Sequence, residues 1–563
     1  MMAAGRLRLL AVLLAVWGLV VWGRLAQLQL AEHATWEQQA EAQRERVREV
    51  KEARGEILTR DGRLLAGSLS SVAVCANPTR IPREEWPELA ASLSPLIGAP
   101  EAQIRARFAS EKGFFYLAKD LPAEVSSSLE PLSQKGLWTE RSERRVYPLG
   151  PLAGSVVGFV DAEGVGQAGL ERTYESTLAG IPSIYRELCD GKILSTPIDL
   201  RLEKAGRPGQ SLVLSLDSRV QLVVEQELQR ALDTIGARGA AAVVMDPRTG
   251  EVLALGSLPG YDPGHVGQSR PECRRNRAVE FALEPGSVFK PIVVSAALAA
   301  GVVTPGELVD CSGGGIQVAN VFMRDHGHFG LLSVRDVIAQ SSNTGAIRIA
   351  HRLGADKLDG MIRALGFGRR TGIELPAETP GIYRGPQSWS ALSRAGLALG
   401  EEIAVSPLQV AQAYAAIADG GVLLPPVLVR ETLDSKGRPV TPRQRRQGVR
   451  VMPRAVAREV ASMLEAVVDE GTGRAAQVAG YRVGGKTGTA QKGADGGGLR
   501  SGAHAAWFAG FLPVQDPSLV IVVCVDEPRR TYWASDVAAP VFGRIAARLV
   551  SLLGIAPDRV EAL

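Results

Sequence analysis

Apolar residues run almost unbroken from Leu9 to Gly23, flanked by Arg6, Arg8 and Arg24. The run falls slightly short of the roughly 20 residues that cross a bilayer, and Leu25 to Ala31 extends it into a predicted membrane-spanning helix. Beyond it the pattern turns polar. Arg44, Arg46, Arg48 and Lys51 alternate with Glu45, Glu49 and Glu52, which predicts a solvated helix leaving the membrane. Short strand-like runs follow, interrupted by a helix-rich insertion near Pro82 to Leu132, until Ala205-Gly206-Arg207-Pro208-Gly209 reads as a linker. Past it, Leu212 to Leu216 begins a second domain, and Ala240 to Met245 with Val252 to Leu255 predicts a hairpin across Asp246-Pro247-Arg248-Thr249-Gly250. Ser406, Pro407 and Gln409 form a capping box before an apolar-periodic helix to Ile417. Tyr481 to Ala490, Ala505 to Leu512 and Leu519 to Val525 are three consecutive strand-like runs, hence an antiparallel meander, and Val541 to Leu553 is a final amphipathic helix with no appended binding repeats after it. The whole predicts a mixed α+β fold. A cytoplasmic tail and membrane helix occupy 1–30, an elongated α+β pedestal 31–205, and a domain with a central antiparallel sheet flanked by helices 206–563.

Composition changes this picture little. At 563 residues the chain has room for about three or four domains, and a formal charge of +4 gives no support to nucleic-acid binding. A secretory signal would have a similar apolar run, but Arg24 closes this one, no small-x-small cleavage site follows directly, and Arg6 and Arg8 favour a cytoplasmic N-terminus. Five cysteines, Cys75, Cys189, Cys273, Cys311 and Cys524, show no metal-ligand spacing; a disulfide is permitted outside the membrane, but the odd count leaves one over and no pairing can be read. Cys524, mid-strand, reads as a small core residue. His326 and His328 beside Asp325 lack a third or fourth ligand and read as a glycine-broken loop. No metal or other cofactor is expected.

Candidate chemistry lies in three strings: Ser287-Val288-Phe289-Lys290, Ser341-Ser342-Asn343 and Lys486-Thr487-Gly488. A serine hydroxyl needs a base to become a nucleophile, and a lysine kept neutral by burial and neighbouring cations is one. A helix through Ser287 places Lys290 one turn on, with Gly286 allowing close backbone approach and Pro291 within the first turn. The exposed amides there favour negative charge and supply an oxyanion donor. Alone, such a pair is usually an ordinary helix start; the third string changes that. On a sheet edge, Lys486 gives a cation, Thr487 and Thr489 two hydroxyls, and Gly488 an open approach for a substrate carboxylate. Gly480 to Thr487 also matches a phosphate-loop pattern, and Leu519 to Glu527 imitates the acid-ended strand that binds magnesium. A phosphate loop must run into a helix, which Gly488 to Gly498, rich in glycine, cannot sustain.

With these motifs the chain resembles the class B penicillin-binding proteins over nearly its whole length. Glu284-Pro285-Gly286, Pro291, Gly471-Thr472-Gly473 and Val525-Asp526-Glu527-Pro528 match the flanks of the three strings. Arg54-Gly55-Glu56-Ile57, Arg60-Asp61-Gly62, Arg145-Val146-Tyr147-Pro148 and Gly169-Leu170-Glu171 resemble the signatures of the non-catalytic, dimerisation-type pedestal. Thr59 stands where the family usually has an acid. The resemblance implies a peptidoglycan D,D-transpeptidase: Ser287 attacks the carbonyl between two terminal D-alanines, Lys290 takes its proton, Ser341 relays a proton to the leaving amine, and Asn343 faces the substrate's peptide and Lys290. It further implies that Lys486 holds Ser341 and keeps the site cationic. Thr487, Gly488 and Thr489 would bind the donor, and the backbone N–H groups of Ser287 and Thr489 form the oxyanion hole.

Asn343 in the third position of its string, with Thr344-Gly345 after it, and the tail Asp536-Val537-Ala538-Ala539-Pro540-Val541-Phe542 resemble division-type members of the FtsI type. That implies septal wall synthesis, inhibition by β-lactams, a glycosyltransferase partner of the SEDS family among other division proteins, and a single-pass protein of the cytoplasmic membrane with its catalytic domain outside. An elongation or sporulation paralogue, a D,D-carboxypeptidase and a non-enzymatic β-lactam sensor or scaffold stay open as alternatives. A β-lactamase would leave the anchor and pedestal unexplained.

Overall fold

A computed structural model describes residues 2–37, 45–111, 113–129, 132, 136–189, 197–441, 447–493 and 499–559. By backbone contacts the chain divides into residues 1–53 with 179–209, and residues 54–178 with 210–563.

The first unit begins with α1 (Met2–Ala26), continued by a π turn over Gln27–Ala31. Gly5–Ala31 is long and apolar enough to cross a membrane, and none of its most apolar window is buried by the rest of the chain. The charged stretch after it departs from expectation. Glu45–Val50 is a strand, paired antiparallel with Ser183–Cys189, which in turn pairs with Pro197–Lys204. The reason lies in the charge period: a helix would stack Arg44 over Arg48 and Glu45 over Glu49, like charges at i,i+4, whereas alternation of period two suits a strand.

The second unit holds the central sheet. Its strands are β1 (Gly239–Met245), β2 (Val252–Leu258), β3 (Gly484–Gly493), β4 (Leu499–Leu512) and β5 (Leu519–Asp526), in the spatial order β2-β1-β5-β4-β3 with every pair antiparallel. The expected meander and hairpin are therefore present, and β3, which carries Lys486-Thr487-Gly488, is the edge. Both faces are buried, and side chains sort by parity. Ala241, Val243, Trp507, Ala509, Val520 and Val522 enter one core, while Ala240, Ala242, Phe508, Ile521 and Val523 enter the other. The second core is closed by α2 (Ser218–Ile235) and a C-terminal helix, Ala538–Leu553. The first core is closed by α3 (Lys290–Ala299), α4 (Asn343–Leu353), α5 (Pro407–Ala418) and α6 (Arg454–Asp469). The capping box of α5 forms as expected, with Ser406 Oγ accepting from Gln409 N and Gln409 Oε1 from Ser406 N.

A second sheet joins Val429–Leu433, Ser211–Leu214, Ile57–Leu58, Leu64–Ala76 and Phe115–Pro122, with Leu137–Val146 on Leu64–Ala76. The helix-rich insertion supplies Trp86–Ile97 and Glu101–Ser110, whose Leu89, Leu93, Ile104 and Phe108 build a separate core. The upstream motifs converge on one buried carboxylate. Glu171, with no exposed surface, accepts from Arg54 Nε at 2.8 Å and Arg145 Nε at 2.7 Å, and Arg54 also reaches Glu175 at 2.7 Å. Paired burial of this kind fixes geometry, because removing one partner strands a charge. Thr59, where an acid was expected, accepts from Arg63 N with its hydroxyl, and neighbouring Asp61 takes the N–H and hydroxyl of Ser218 at the start of α2.

Candidate active site

The Ser287 turn is shaped by a missing hydrogen. Pro291 has no N–H, so the Ser287 carbonyl has no α-helical donor and takes the Lys290 N–H instead. Gly286–Phe289 is accordingly a 3₁₀ turn ahead of α3, rather than the α-helix expected through Ser287. With three residues per turn, positions 287 and 290 stand in line. Gly286 has φ +57°, open to glycine at no steric cost, and its N–H bonds to the Gly400 carbonyl at 3.1 Å. Edge strand β3 presses on this turn. A Cβ on Gly488 would lie 2.4 Å from the Pro285 oxygen, and one on Gly286 3.0 Å from the Thr489 oxygen. Ser287 is half-buried beside that contact.

Lys290 is fully buried. Its Nζ bonds to the Ser341 carbonyl at 2.5 Å, the Ser341 hydroxyl at 3.3 Å and Asn343 Oδ1 at 2.7 Å. Among the described residues no hydrogen bond joins it to the Ser287 hydroxyl. Burial pushes its pKa down to about 7, against an upward pull from the Asp325 and Glu401 carboxylates. Ser341 holds φ +60°, a left-handed conformation that costs a non-glycine residue about 1–3 kcal/mol. That backbone twist turns its carbonyl and hydroxyl onto one amine.

The twist is held by Asp325. Its carboxylate accepts from Asn343 N, from Ser342 Oγ at 2.9 Å and from Thr344 N at 3.1 Å, so one side chain caps α4 and fixes Ser341-Ser342-Asn343. Asn343 Nδ2 donates to the Arg324 carbonyl at 2.8 Å, which sets the amide so that its oxygen faces Lys290. His326, next to Asp325, has its pKa lowered by burial and then by the Lys290 charge; no group of three His, Cys, Asp or Glu that could hold a metal exists among the described residues.

Lys486 is the second fully buried lysine. Its Nζ meets the Thr487 carbonyl at 3.2 Å and the Thr487 hydroxyl at 3.5 Å, and among the described residues it makes no bond to Ser341. Burial, then the Lys290 charge, holds its pKa well below the usual lysine range. The Thr487 hydroxyl also pairs with that of Thr472 at 2.8 Å, and the Thr489 hydroxyl accepts from Ala534 N at 3.0 Å. β3 runs extended through Lys486 to Gly493 with no helix after Thr487, the opposite of a phosphate loop; residues 494–498 of that argument lie outside the described residues.

The structure thus brings Ser287, Lys290, Ser341, Asn343 and the Gly488-Thr489 backbone to one place, with Lys486 and Thr487 buried beside them. Sequence reasoning missed Asp325 as a determinant and left Thr472 as a mere flank. Asp325 follows the strand Val321–Arg324, 17 residues before the Ser342 cap that it bonds, too far for local spacing to signal the pairing. Cys273, Cys311 and Cys524 are buried free thiols, and Cys75 is buried as well.

Residues 240–547 match the penicillin binding protein transpeptidase domain, and residues 49–214 the penicillin-binding protein dimerisation domain. The chain is 33% identical to the probable peptidoglycan D,D-transpeptidase PenA of Neisseria gonorrhoeae, over 99% of this chain and 94% of that one. It is 32% identical to the peptidoglycan D,D-transpeptidase FtsI of Escherichia coli, over 95% and 90%. Its fold superposes on the crystal structure of penicillin binding protein 3 from Mycobacterium tuberculosis complexed with aztreonam, with a TM-score of 0.72 at 29% identity, covering 91% of this chain and 98% of that one.

Proposed function

Because the chain belongs to the class B penicillin-binding proteins and is a peptidoglycan D,D-transpeptidase, we propose that it cross-links stem peptides through an acyl-enzyme on Ser287 during septal wall synthesis. The observation that carries this is Lys290: a fully buried amine, pKa about 7, held by Ser341 and Asn343 one 3₁₀ turn from Ser287.

In the proposed cycle Ser287 Oγ bonds to the carbonyl carbon between the donor's terminal D-alanines as its proton passes to neutral Lys290. The N–H groups of Ser287 and Thr489 receive the oxyanion, a donor set worth roughly 3–4 kcal/mol per member in acyl transfer. The tetrahedral species collapses when a proton, relayed through Ser341, reaches the leaving nitrogen, and D-alanine departs. An acceptor amine then bonds to the acyl carbon, gives its surplus proton back along the same path, and frees Ser287 with the new amide formed. Thr487 and Thr489 engage the donor carboxylate, whose negative charge raises the pKa of Lys486 and favours its charged form. A β-lactam enters as a donor whose leaving nitrogen stays tethered, so the acyl-enzyme persists.

We assign residues 1–30 to the anchor, 31–205 to the pedestal and 206–563 to the catalytic domain. Arg6 and Arg8 set the N-terminus in the cytoplasm and the site outside, where the anchor and pedestal offer surfaces to a SEDS-family glycosyltransferase of the division machinery. The division role rests on Asn343 and the Asp536 to Phe542 tail. Purified full-length protein, given a pentapeptide donor and an amine acceptor, is expected to release D-alanine in step with cross-linked dimer. D-alanine without dimer would make it a carboxypeptidase, and neither product a sensor or scaffold. Depletion in cells should give filaments without septa; rounded cells of normal division frequency would reject the septal role in favour of elongation.

A further inference from the structure

Tyr414 lies on the buried helix α5, contributes no surface, and packs in the same core as Val288 and Phe289. A phenylalanine would fill that space as well, and a buried hydroxyl is costly unless it is bonded. Here it donates to the Val288 carbonyl at 2.9 Å. Val288 follows the proposed nucleophile, inside a turn whose ordinary helical bonding is already broken by Pro291. On the other side of Ser287, the Gly286 N–H is tied to the Gly400 carbonyl at 3.1 Å, and a Cβ on Gly400 would lie only 2.0 Å from the Gly286 oxygen. The Ser287 segment is therefore tethered one peptide away on each side: Gly400 holds the Pro285–Gly286 peptide and Tyr414 the Val288–Phe289 peptide, which bracket the two peptides of Ser287.

We propose that Tyr414 is a positioning residue for the acyl-transfer reaction, which holds the Val288 carbonyl and so keeps the Ser287 hydroxyl and N–H aimed at the same substrate carbonyl. The inference rests on Ser287 being the nucleophile. Tyr414 touches neither substrate nor Lys290; it acts through the turn. Its burial raises the phenol pKa well above the ordinary value, so it remains a donor throughout the working pH range.

The test is benzylpenicillin acylation of full-length protein in detergent, with the rate constant and the pre-covalent dissociation constant separated by varying drug concentration. Tyr414→Phe keeps the ring and its packing and is expected to lower the acylation rate constant about tenfold, as for a nucleophile out of alignment by a fraction of an ångström. The dissociation constant and the pH at half-maximal rate should stay where they are, because carboxylate binding and the Lys290 environment are untouched. Ser406→Ala is the control: it weakens α5 by losing the cap and is expected to lower Tm while leaving the rate constant unchanged. A Tyr414→Phe rate within twofold of wild type overturns the proposal, as does an equal loss of rate in both variants, which would reduce Tyr414 to a contributor to stability. If wild-type protein forms no adduct on Ser287, the acyl-enzyme reading itself fails; if it does and Tyr414→Phe matches it, only the positioning role fails.

Discussion

At the scale of single residues, the proposed chemistry turns on Lys290. Its pKa near 7 is set mainly by burial and opposed by Asp325 and Glu401, with Lys486 and His326 as the other titratable neighbours of the site. Acylation is expected to rise as pH passes upward through about 7, where the amine loses its proton. Asp325→Asn removes an upward pull and should move that rise to lower pH, while weakening the cap of α4; a pH–rate profile unmoved by the substitution would contradict the pairing. Thr472→Val deprives the Thr487 hydroxyl of its partner at 2.8 Å and should raise the dissociation constant for benzylpenicillin several-fold, with Thr472→Ser restoring it. Equal binding by wild type and Thr472→Val would show that Thr487 needs no such support. The serine, both lysines and Asn343 were legible because the chemistry puts them in short strings. Asp325 and Thr472 were not, since each acts through a tertiary hydrogen bond that no local spacing encodes.

Between elements, the site is a meeting of an edge strand with a turn. β3 and the Pro285–Val288 segment approach so closely that Gly488 has no room for a methyl group, with Pro285 O at 2.4 Å and Val288 Cγ2 at 2.7 Å from the place it would occupy. Gly488→Ala should therefore part strand and turn and reduce acylation at least about a hundredfold, because misplacement of an ångström suffices for that loss. Far-ultraviolet circular dichroism should be unchanged, and near-normal acylation would show that the contact is dispensable. Strands β1 to β5 and α5 were readable, since period two, turn residues and a capping box all agreed there. Glu45–Val50 was misread because charge alternation was taken as the mark of a solvated face, without asking which period it fits. The 3₁₀ form of the Ser287 turn was implicit in Pro291, whose missing N–H matters to the residue four before it as much as to its own position.

Across the whole molecule, the chain combines an apolar segment, a dimerisation-domain match whose motifs meet at Glu171, and a sheet with two buried faces. Gly5–Ala31 is left uncovered, so removal of residues 1–31 should give protein that stays in solution without detergent and still acylates; aggregation of that variant would assign the helix to the fold instead. Stability should depend on pH through the buried lysines. Lys290 has its pKa lowered to about 7 in the folded state, so between pH 7 and about 10.4 the unfolded chain binds more protons there and stability rises with pH at up to roughly 1.4 kcal/mol per unit, with Lys486 acting in the same direction. Replacing Lys290 by Met should flatten that rise in urea titrations. The central claim is the acyl-enzyme, and intact-protein mass after incubation with benzylpenicillin tests it most directly. The account predicts one persistent adduct on the wild type and none on Ser287→Ala; an adduct that survives that substitution, or a folded wild type that never gains one, would contradict it.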